Sequence, residues 1–265
     1  MSAGLYARAL LRALPGPRPD ALPDRELVDE VEPARDHLAA YDAVCGFRLR
    51  DEAPPTYPHV LAFPLVLRLM TARDFPLRPI GLVHVGNRIV QRRPVTAGER
   101  LTLRVRADAL HGSRFDIVTE ASAGDLPVWE ERSTYLRPRG GGGGRRATEP
   151  PPEPQAVWSV PGNIGRRYAA VSGDRNPIHL RRLTARAFGQ PRPIAHGMWV
   201  KARCLAALEG RVPEACAVEV RFHQPLRLPG TVAFASWPDG DGRAFAVHGV
   251  RDGRPHVTGR ITARR

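Results

Sequence analysis

The sequence has few cysteines and no long apolar segment, and both scarcities exclude classes of protein. Its three cysteines, Cys45, Cys204 and Cys216, lie far apart and share no C-x-x-C spacing. We therefore expect neither a disulfide framework nor a structural zinc site, and we expect a reducing, cytoplasmic location. The apolar stretch over residues 5–14 is short and contains two arginines, and no later segment is apolar for long enough to span a bilayer. A signal peptide or a membrane span is therefore not expected.

Lysine is almost absent from the chain. Lys201 is the only one, so nearly all of the formal net charge of +13 at pH 7 comes from arginine. A basic chain can bind nucleic acid, an anionic membrane or a phosphate-bearing ligand. The arginines form no long run and no stripe with interleaved aromatic residues, and they are abundant together with Ala, Gly and Pro. That composition is typical of a GC-rich genome, and we expect no nucleic-acid binding.

One segment near the middle of the chain cannot bury apolar area. Five consecutive glycines occupy residues 140–144, and prolines cluster at 150–154. Such a composition is typical of a flexible linker. The sequence therefore predicts an N-terminal unit over residues 1–137, a linker over 138–155 and a C-terminal unit over 156–265.

The two units repeat one pattern, a helix followed by short strands. Residues 195–208 are a helix candidate, with apolar residues at helical spacing and Gly210 at the end. Residues 59–70 form the corresponding apolar segment of the first unit. Strand candidates follow at 82–89, 100–106, 115–121 and 128–136, and again at 217–222, 231–237, 244–250 and 256–261. The pattern predicts an α+β fold of two helix-plus-antiparallel-sheet units.

A carboxylate and an imidazole lie five residues apart in the second unit, as Asp174 and His179. Between them, Pro177 excludes the helical conformation from Asn176, so we expect a short helix to end at Asp174 and a turn to follow. The turn lets both side chains reach one point, where they can form an acid–base pair near neutral pH. Asn176 is a candidate to orient one of them or a bound water, although asparagine is also common in turns for its own hydrogen bonds.

The predicted helix of the second unit begins near Gly197. A helix N-terminus presents unpaired N–H groups, and a glycine lets an oxygen atom approach its amide, as an oxyanion site requires. Close packing of the helix is the alternative reason for a glycine. His196 is a candidate for substrate binding or for anchoring the helix start. Met198 is a candidate for the lining of a substrate tunnel or of the core.

Three further histidine interpretations follow from the sequence. Asp174, His179 and His196 are acceptable metal ligands, but their spacing matches no standard site, and we expect no metal. His59 and His84 in the first unit have no carboxylate partner in a comparable motif. We therefore expect both to be structural.

The segment over residues 168–179, YAAVSGDRNPIH, resembles the hydratase signature of the MaoC-like family. That family comprises (R)-specific enoyl-CoA hydratases and 3-hydroxyacyl-thioester dehydratases. The segment over 193–198, PIAHGM, fits the same family at the expected separation. The resemblance implies a hotdog fold, an antiparallel sheet wrapped around one long helix. Segments 56–64 and 81–87 resemble the degenerate half of double-hotdog members, so a double hotdog is expected.

The resemblance also implies residue roles. Asp174 and His179 match the catalytic pair of the family, the Gly197 amide matches the oxyanion donor, and Asn176 matches the amide of the motif. The first unit lacks the signature, and Val60 stands roughly where the second unit has Gly197. We therefore expect one active site per chain.

The implied reaction is the reversible hydration of a trans-2-enoyl thioester to a (3R)-hydroxyacyl thioester, in fatty-acid metabolism and without a cofactor. The expected partner is a thioester of coenzyme A or of acyl carrier protein, with a medium or long chain. A homodimer and a pseudo-dimeric monomer are both compatible with the sequence. The alternatives are a non-catalytic hotdog protein that binds an acyl chain or stabilises another subunit, and an acyl-CoA thioesterase.

Overall fold

The structure, a computed structural model, describes residues 18–79, 81–138 and 151–264. The glycine run of the predicted linker, residues 140–144, lies outside these ranges. Within them, no helix is long and apolar enough to cross a membrane.

The first half of the chain folds around one apolar helix, α2. Its elements are β1 (Leu27–Val31), α1 (Arg35–Cys45), β2 (Glu52–Ala53), α2 (Tyr57–Met70), β3 (Val83–Gln91), β4 (Val95–Thr96), β5 (Leu101–His111), β6 (Arg114–Ala123) and β7 (Leu126–Leu136). Ten of the fourteen residues of α2 are buried, which its nearly continuous apolar sequence predicts. β5 alternates buried Leu101, Leu103 and Val105 with less buried residues, as a strand with one face on the core does.

The second half repeats this order around helix α5. Its elements are β8 (Ala156–Val160), α3 (Ile164–Ser172), a 3₁₀ turn (Pro177–His179), α4 (Arg182–Ala187), α5 (Gly197–Ala207), β9 (Cys216–Phe222), β10 (Gly230–Asp239), β11 (Gly242–Gly249) and β12 (Pro255–Ala263). The eight predicted strands and the two predicted long helices are all present, within a few residues of the expected bounds. The sequence pattern did not predict β1, β8 or α1.

Ten strands form one antiparallel sheet, in the order β1-β5-β6-β7-β3-β9-β12-β11-β10-β8. Each half contributes five neighbouring strands, and β3 pairs with β9 at the centre, where Asn87 lies opposite Val220. Each half thus has the helix and the antiparallel strands that the sequence predicts, and the continuity of the two sheets is a feature that the sequence analysis did not address. The two sheets are continuous because the central strand pair carries a regular ladder of backbone hydrogen bonds between the halves.

Helix α1 of the first half packs against α3 of the second half. His37 of α1 connects them: its Nδ1 lies 2.8 Å from the Tyr57 hydroxyl and its Nε2 lies 2.8 Å from the Val171 carbonyl oxygen. Val171 belongs to the last turn of α3. The first half therefore holds the end of the helix from which the motif over residues 172–179 continues.

Helix α1 also carries a buried carboxyl group. Asp42 is only 2 % exposed, and neither of its carboxyl oxygens has a hydrogen-bond partner among the described residues. Burial, with a smaller contribution from the Glu209 carboxylate, raises the pKa of Asp42 from 3.8 to about 7. The native state therefore holds a proton that the unfolded state releases between these two pH values, and stability is lost as the pH rises through this window.

We predict that Asp42→Asn stabilises the protein above pH 7 by about 3 kcal/mol, because the amide removes the cost of an unpaired buried charge. Thermal unfolding should be measured between about pH 5 and about pH 8. As the pH rises, the melting temperature of the variant should fall less steeply than that of the wild type. Asp125→Asn, in the exposed turn between β6 and β7, is the matched control and should leave the slope unchanged. Identical slopes for Asp42→Asn and wild type would contradict the assignment.

Candidate active site

A left-handed glycine turns the chain out of α3 and into the motif. Gly173 has φ 72° and its N–H donates to the carbonyl oxygen of Ala169. The Ser172 hydroxyl oxygen accepts a hydrogen bond from the Asp174 N–H at 3.1 Å. The Asp174 carboxylate in turn accepts from the Asn176 N–H at 3.1 Å. The helix ends at Ser172, two residues before the expected end, and local side-chain bonds fix the course of the chain beyond it.

Asn176 and Pro177 make the turn that the sequence predicts. Asn176 has φ −55° and ψ 125°, outside the helical region, and Pro177 opens the 3₁₀ turn. The Asn176 side-chain oxygen accepts a hydrogen bond from the Ile178 N–H at 3.4 Å. The alternative explanation of this asparagine, a hydrogen bond within the turn, is therefore present in the structure. Its contact with a substrate or a water stays a prediction.

His179 is held as a neutral imidazole. Its Nδ1 lies 2.7 Å from the carbonyl oxygen of Ile194, and a carbonyl can only accept, so Nδ1 carries the proton. Nε2 is left with a lone pair. Burial lowers the pKa of His179 below its usual 6.5, and this outweighs the opposite effect of the Asp174 charge. A neutral imidazole with one fixed tautomer is suited to accept a proton.

His196 packs directly behind the pair. Its ring stacks on His179 with 3.7 Å between centroids, and its Nε2 lies 3.0 Å from the backbone oxygen of Asp174. Burial, followed by the nearby His179, lowers the pKa of His196 to about 3. The neutral ring therefore donates from Nε2 to this carbonyl. These contacts support the anchoring role of His196 and explain how it positions Asp174.

The same three side chains carry atoms that a metal ion could use as ligands. The ligand atoms of Asp174, His179 and His196 lie within 4.8 Å of one another. One nitrogen of each ring is already engaged by a backbone oxygen, Nδ1 of His179 by Ile194 and Nε2 of His196 by Asp174. An ion held by nitrogen and oxygen at about 2 Å needs ligands that converge. The expectation that no metal binds to these three side chains stays a prediction.

Gly197 and Met198 begin helix α5, and the first N–H groups of a helix have no partner within it. A Cβ atom on Gly197 would lie 2.8 Å from the ring of Phe222. Close packing, the alternative reason for this glycine, is therefore realised, and its amide remains a candidate oxyanion donor. Met198 is buried and lines the cavity described below.

Gly165 is a site residue that the sequence analysis missed. A Cβ atom there would lie 2.1 Å from the backbone oxygen of His179, so only glycine lets α3 approach the 3₁₀ turn this closely. The sequence signal is weak, because one glycine in the first turn of a helix is tolerated for many reasons.

A cavity of about 310 Å³ is lined both by the motif over residues 172–179 and by the first half of the chain. Asp174, His179 and the start of α5 line one part of it. Residues of α2 and β3 line the other part: His59, Phe63, Val66, Leu67, Met70, Val83 and His84. The first half therefore supplies much of the wall, most of it apolar.

His59 and His84 were expected to be structural, and both lie in this wall. His59 has a carboxylate partner outside any such motif: its Nδ1 lies 2.9 Å from both carboxylate oxygens of Glu131. The partners are 72 residues apart, on different elements. No local motif connects them, so only the folded chain reveals the pair.

Comparisons with known proteins agree with this architecture. The family model "MaoC like domain" matches residues 151–259. The 3-hydroxyacyl-thioester dehydratase X of Mycobacterium tuberculosis is 38% identical over 268 residues, covering 96% of this chain and 95% of the relative. The crystal structure of HtdX from the same organism superposes with a TM-score of 0.82 at 36% identity, covering 91% of this chain and 100% of that one.

A further M. tuberculosis protein, described as having a double hotdog fold, is similar with a TM-score of 0.56. It is 14% identical and covers 90% of this chain and 96% of its own, so it bears on the fold alone. The predicted α+β double hotdog is confirmed. Given 38% identity across nearly the whole length of a curated dehydratase, this chain belongs to the MaoC-like dehydratase family, a group of hydro-lyases.

Proposed function

We propose that the protein adds water reversibly to a trans-2-enoyl thioester to form the (3R)-hydroxyacyl thioester, with Asp174 and His179 as the acid–base pair. One observation carries the proposal: a neutral His179 with a free Nε2 and the Asp174 carboxylate share one cavity with the N-terminus of α5. The sequence relative is named for the same class of reaction.

In the hydration direction, one water lies between Asp174 and His179. Nε2 of His179 takes a proton from the water while the water oxygen bonds to C3 of the substrate. The electrons of the C2–C3 double bond then shift toward the thioester oxygen, which becomes negatively charged. The proton then returns from the acid–base pair to C2 as the thioester carbonyl re-forms. Every atom of the water ends in the product, so the reaction balances without an oxidant or a reductant.

The transient negative charge on the thioester oxygen needs a hydrogen-bond donor. The Gly197 N–H is the first of α5, has no partner within the helix, and lies at the positive end of the helix dipole. A preorganised donor of this kind stabilises developing charge more than water does, because it needs no reorientation. We assign it to the thioester oxygen, with Met198 and His196 beside the same helix start as substrate-binding residues.

We further propose that the apolar wall from α2 receives the acyl chain. Phe63 lies against Gly173, at the entrance of the catalytic motif. Met70 lies about 10 Å farther along the same helix, so α2 can line a medium or long chain. In this proposal residues 1–137 form a degenerate hotdog, 138–155 a linker and 156–265 the catalytic hotdog.

The carrier of the acyl group is coenzyme A or acyl carrier protein, since arginine side chains suit both phosphates and acidic helices. We also propose that the protein is cytoplasmic and does not bind nucleic acid. The halves already pair through β3 and β9, so the chain can act as a pseudo-dimeric monomer or form a homodimer.

We predict that Asp174→Asn and His179→Gln each lower crotonyl-CoA hydration on the order of a hundredfold or more, because each removes one member of the acid–base pair. Loss of the enoyl-thioester absorbance measures the reaction. In the wild type, kcat/KM should fall on the acid side only below pH 6.5, because the neutral form of His179 persists to lower pH than usual.

Measuring free thiol beside the absorbance distinguishes the alternatives. An acyl-CoA thioesterase would release free thiol. A non-catalytic acyl-binding protein would change neither the thiol concentration nor the enoyl-thioester absorbance. Wild-type hydration by either variant, with unchanged folding, would overturn the assigned roles. Asp125→Asn serves again as a control, since it lies in an exposed turn away from the cavity.

We predict that Gly165→Ala lowers kcat about a hundredfold, because the new methyl group must displace the backbone of His179. Gly162→Ala is the matched control, since its Cβ would make only an ordinary contact of 3.6 Å with Pro229. The control should retain activity and melting temperature. Equal activity of both variants would show that the close approach of α3 does not position His179.

We predict that Met70→Trp lowers kcat/KM for hexadecenoyl-CoA by about tenfold or more while crotonyl-CoA turnover stays the same. The larger side chain fills the far part of the cavity and leaves the catalytic end untouched. Steady-state kinetics with crotonyl, decenoyl and hexadecenoyl thioesters measure the profile. A wild-type preference for the crotonyl thioester would contradict the acyl-chain assignment.

A further inference from the structure

The surface beside the catalytic motif carries charge of one sign. From residue 155 to residue 208 the only acidic residue is Asp174, which lines the cavity. Six exposed arginines lie in this segment, around the motif and helix α4: Arg166, Arg175, Arg181, Arg182, Arg186 and Arg192. We call these six side chains, together with Leu183 and Phe188, the arginine patch. The reaction proposed above uses none of them.

The arginines of the patch are not neutralised by the chain itself. In the described part of the chain, no carboxylate lies within ion-pairing distance of any of the six guanidinium groups. Arginines on the sheet of the first half do have such partners: Arg104 pairs with Glu26, and Arg132 with Asp108 and Asp116. The arginine-rich composition explains the number of arginines but not the absence of acidic partners from this surface. The patch therefore presents positive charge to an external partner.

Helix α4 displays the centre of the patch. Its inner face is fixed on the motif, because the Thr184 hydroxyl donates to the carbonyl oxygen of Pro177 at 2.7 Å. Its outer face carries Arg182, Leu183 and Arg186, all exposed. Arg182 and Arg186 are four residues apart, and like charges at this spacing destabilise a helix. An acidic surface laid on this face would relieve the repulsion.

Two exposed apolar side chains lie among these charges. Leu183 is 81 % exposed, and Phe188, directly after α4, is 36 % exposed. Apolar contacts with charged groups around them are typical of a surface that binds another protein. A phosphate-bearing small molecule would pair with the guanidinium groups and leave Leu183 in water. An anionic membrane fits less well, because a membrane-surface helix buries a whole apolar face and α4 has only six residues.

The patch adjoins the cavity. Arg175 belongs to both, and Gln190, two residues after Phe188, also lines the cavity. Arg166 of α3 is held on the same surface, because its guanidinium donates to the carbonyl oxygen of Leu180 at 3.3 Å. A protein that covers α4 therefore lies beside the cavity that contains the catalytic pair.

We propose that the arginine patch is the docking surface of a small acidic carrier protein, which presents the enoyl group as a thioester on a flexible arm. This inference rests on the proposed function, because the arm delivers the substrate to Asp174 and His179. Of the two carriers considered above, it selects acyl carrier protein over coenzyme A. Exposed arginines opposite an acidic helix speed association and fix the orientation of the partner.

The test compares crotonyl-acyl carrier protein with crotonyl-CoA as substrates. We expect the double variant Arg182→Glu/Arg186→Glu to lower kcat/KM for the carrier-protein substrate about tenfold or more, because it reverses the attraction that steers the partner. The loss should appear as a higher KM, and kcat/KM for crotonyl-CoA should be unchanged. Leu183→Ser should show the same selectivity, because it removes the apolar contact and leaves the charge.

Arg211→Glu/Arg264→Glu is the matched control for the change in net charge. Both arginines are exposed and have no ion pair among the described residues. Arg211 lies beyond the far end of α5, about 16 Å from the helix start, and the Arg264 N–H donates to the carbonyl oxygen of Ala215 nearby. The control should hydrate both substrates as the wild type does.

Two further measurements test the electrostatic origin of the effect. Arg182→Lys/Arg186→Lys keeps the charge and should retain most of the activity with crotonyl-acyl carrier protein. Binding of apo-acyl carrier protein, measured by calorimetry, does not depend on turnover. We expect the Arg182→Glu/Arg186→Glu variant to bind it about tenfold more weakly than the wild type, and high salt to weaken wild-type binding.

Three outcomes would overturn the inference. The first is an equal loss of kcat/KM for both substrates in the Arg182→Glu/Arg186→Glu variant, which indicates a role in the fold or in binding both carriers. The second is wild-type kinetics of that variant with the carrier-protein substrate. The third is sedimentation of the wild type, but not of the variant, with phosphatidylglycerol vesicles while both bind apo-acyl carrier protein equally. That result would assign the patch to a membrane.

A failure of the proposed function gives a different result. The wild type would then hydrate neither crotonyl substrate. The calorimetric comparison would still decide whether the arginine patch binds an acidic carrier protein.

Discussion

The antiparallel pairing of β3 with β9 is the constraint on which the rest of the structure depends. It joins five strands from each half into one sheet and brings α2 of the first half beside α3 of the second, from which the motif over residues 172–179 continues. A ladder of backbone hydrogen bonds runs along the pair, with Gly86 opposite Arg221 at one end and Gln91 opposite Cys216 at the other. The cavity and its apolar wall cross this junction. So does the hydrogen bond that buried Lys201 of α5 donates to the side-chain oxygen of Asn87 in β3.

The two halves keep the same backbone plan but differ in chemistry. Helix α1 ends at Gly46 with φ 84°, as α3 ends at Gly173 with φ 72°. The residue that follows is Phe47 in the first half and Asp174 in the second. A glycine suits both positions because a left-handed helix end disfavours a side chain, whereas a carboxylate follows it only in the second half, where we propose that it takes part in proton transfer. The two halves thus share the same helix-ending turn, while the first half lines the cavity that holds the motif of the second.

Burial sets the protonation states in the cavity. His84, His179 and His196 are all shifted toward the neutral form because desolvation disfavours a charged imidazole. His59 differs because its Nδ1 faces the buried carboxylate of Glu131. One cavity is therefore lined by the neutral imidazole of His179 and, in its apolar wall, by the imidazole of His59 on a buried carboxylate. The environment of each ring, rather than its residue type, separates these tasks.

The sequence by itself determined the local elements and the family. Periodic apolar residues predicted eight strands and two helices, and Asn176-Pro177 predicted a turn, because these features depend on neighbours within a few residues. The edge strands β1 and β8 were missed, since both are short and largely exposed. Tertiary structure alone decided the continuous sheet, the shared cavity, the contact of Gly165 with His179 and the pairing of His59 with Glu131. These depend on which distant residues meet, and a pattern read along one chain does not contain that information.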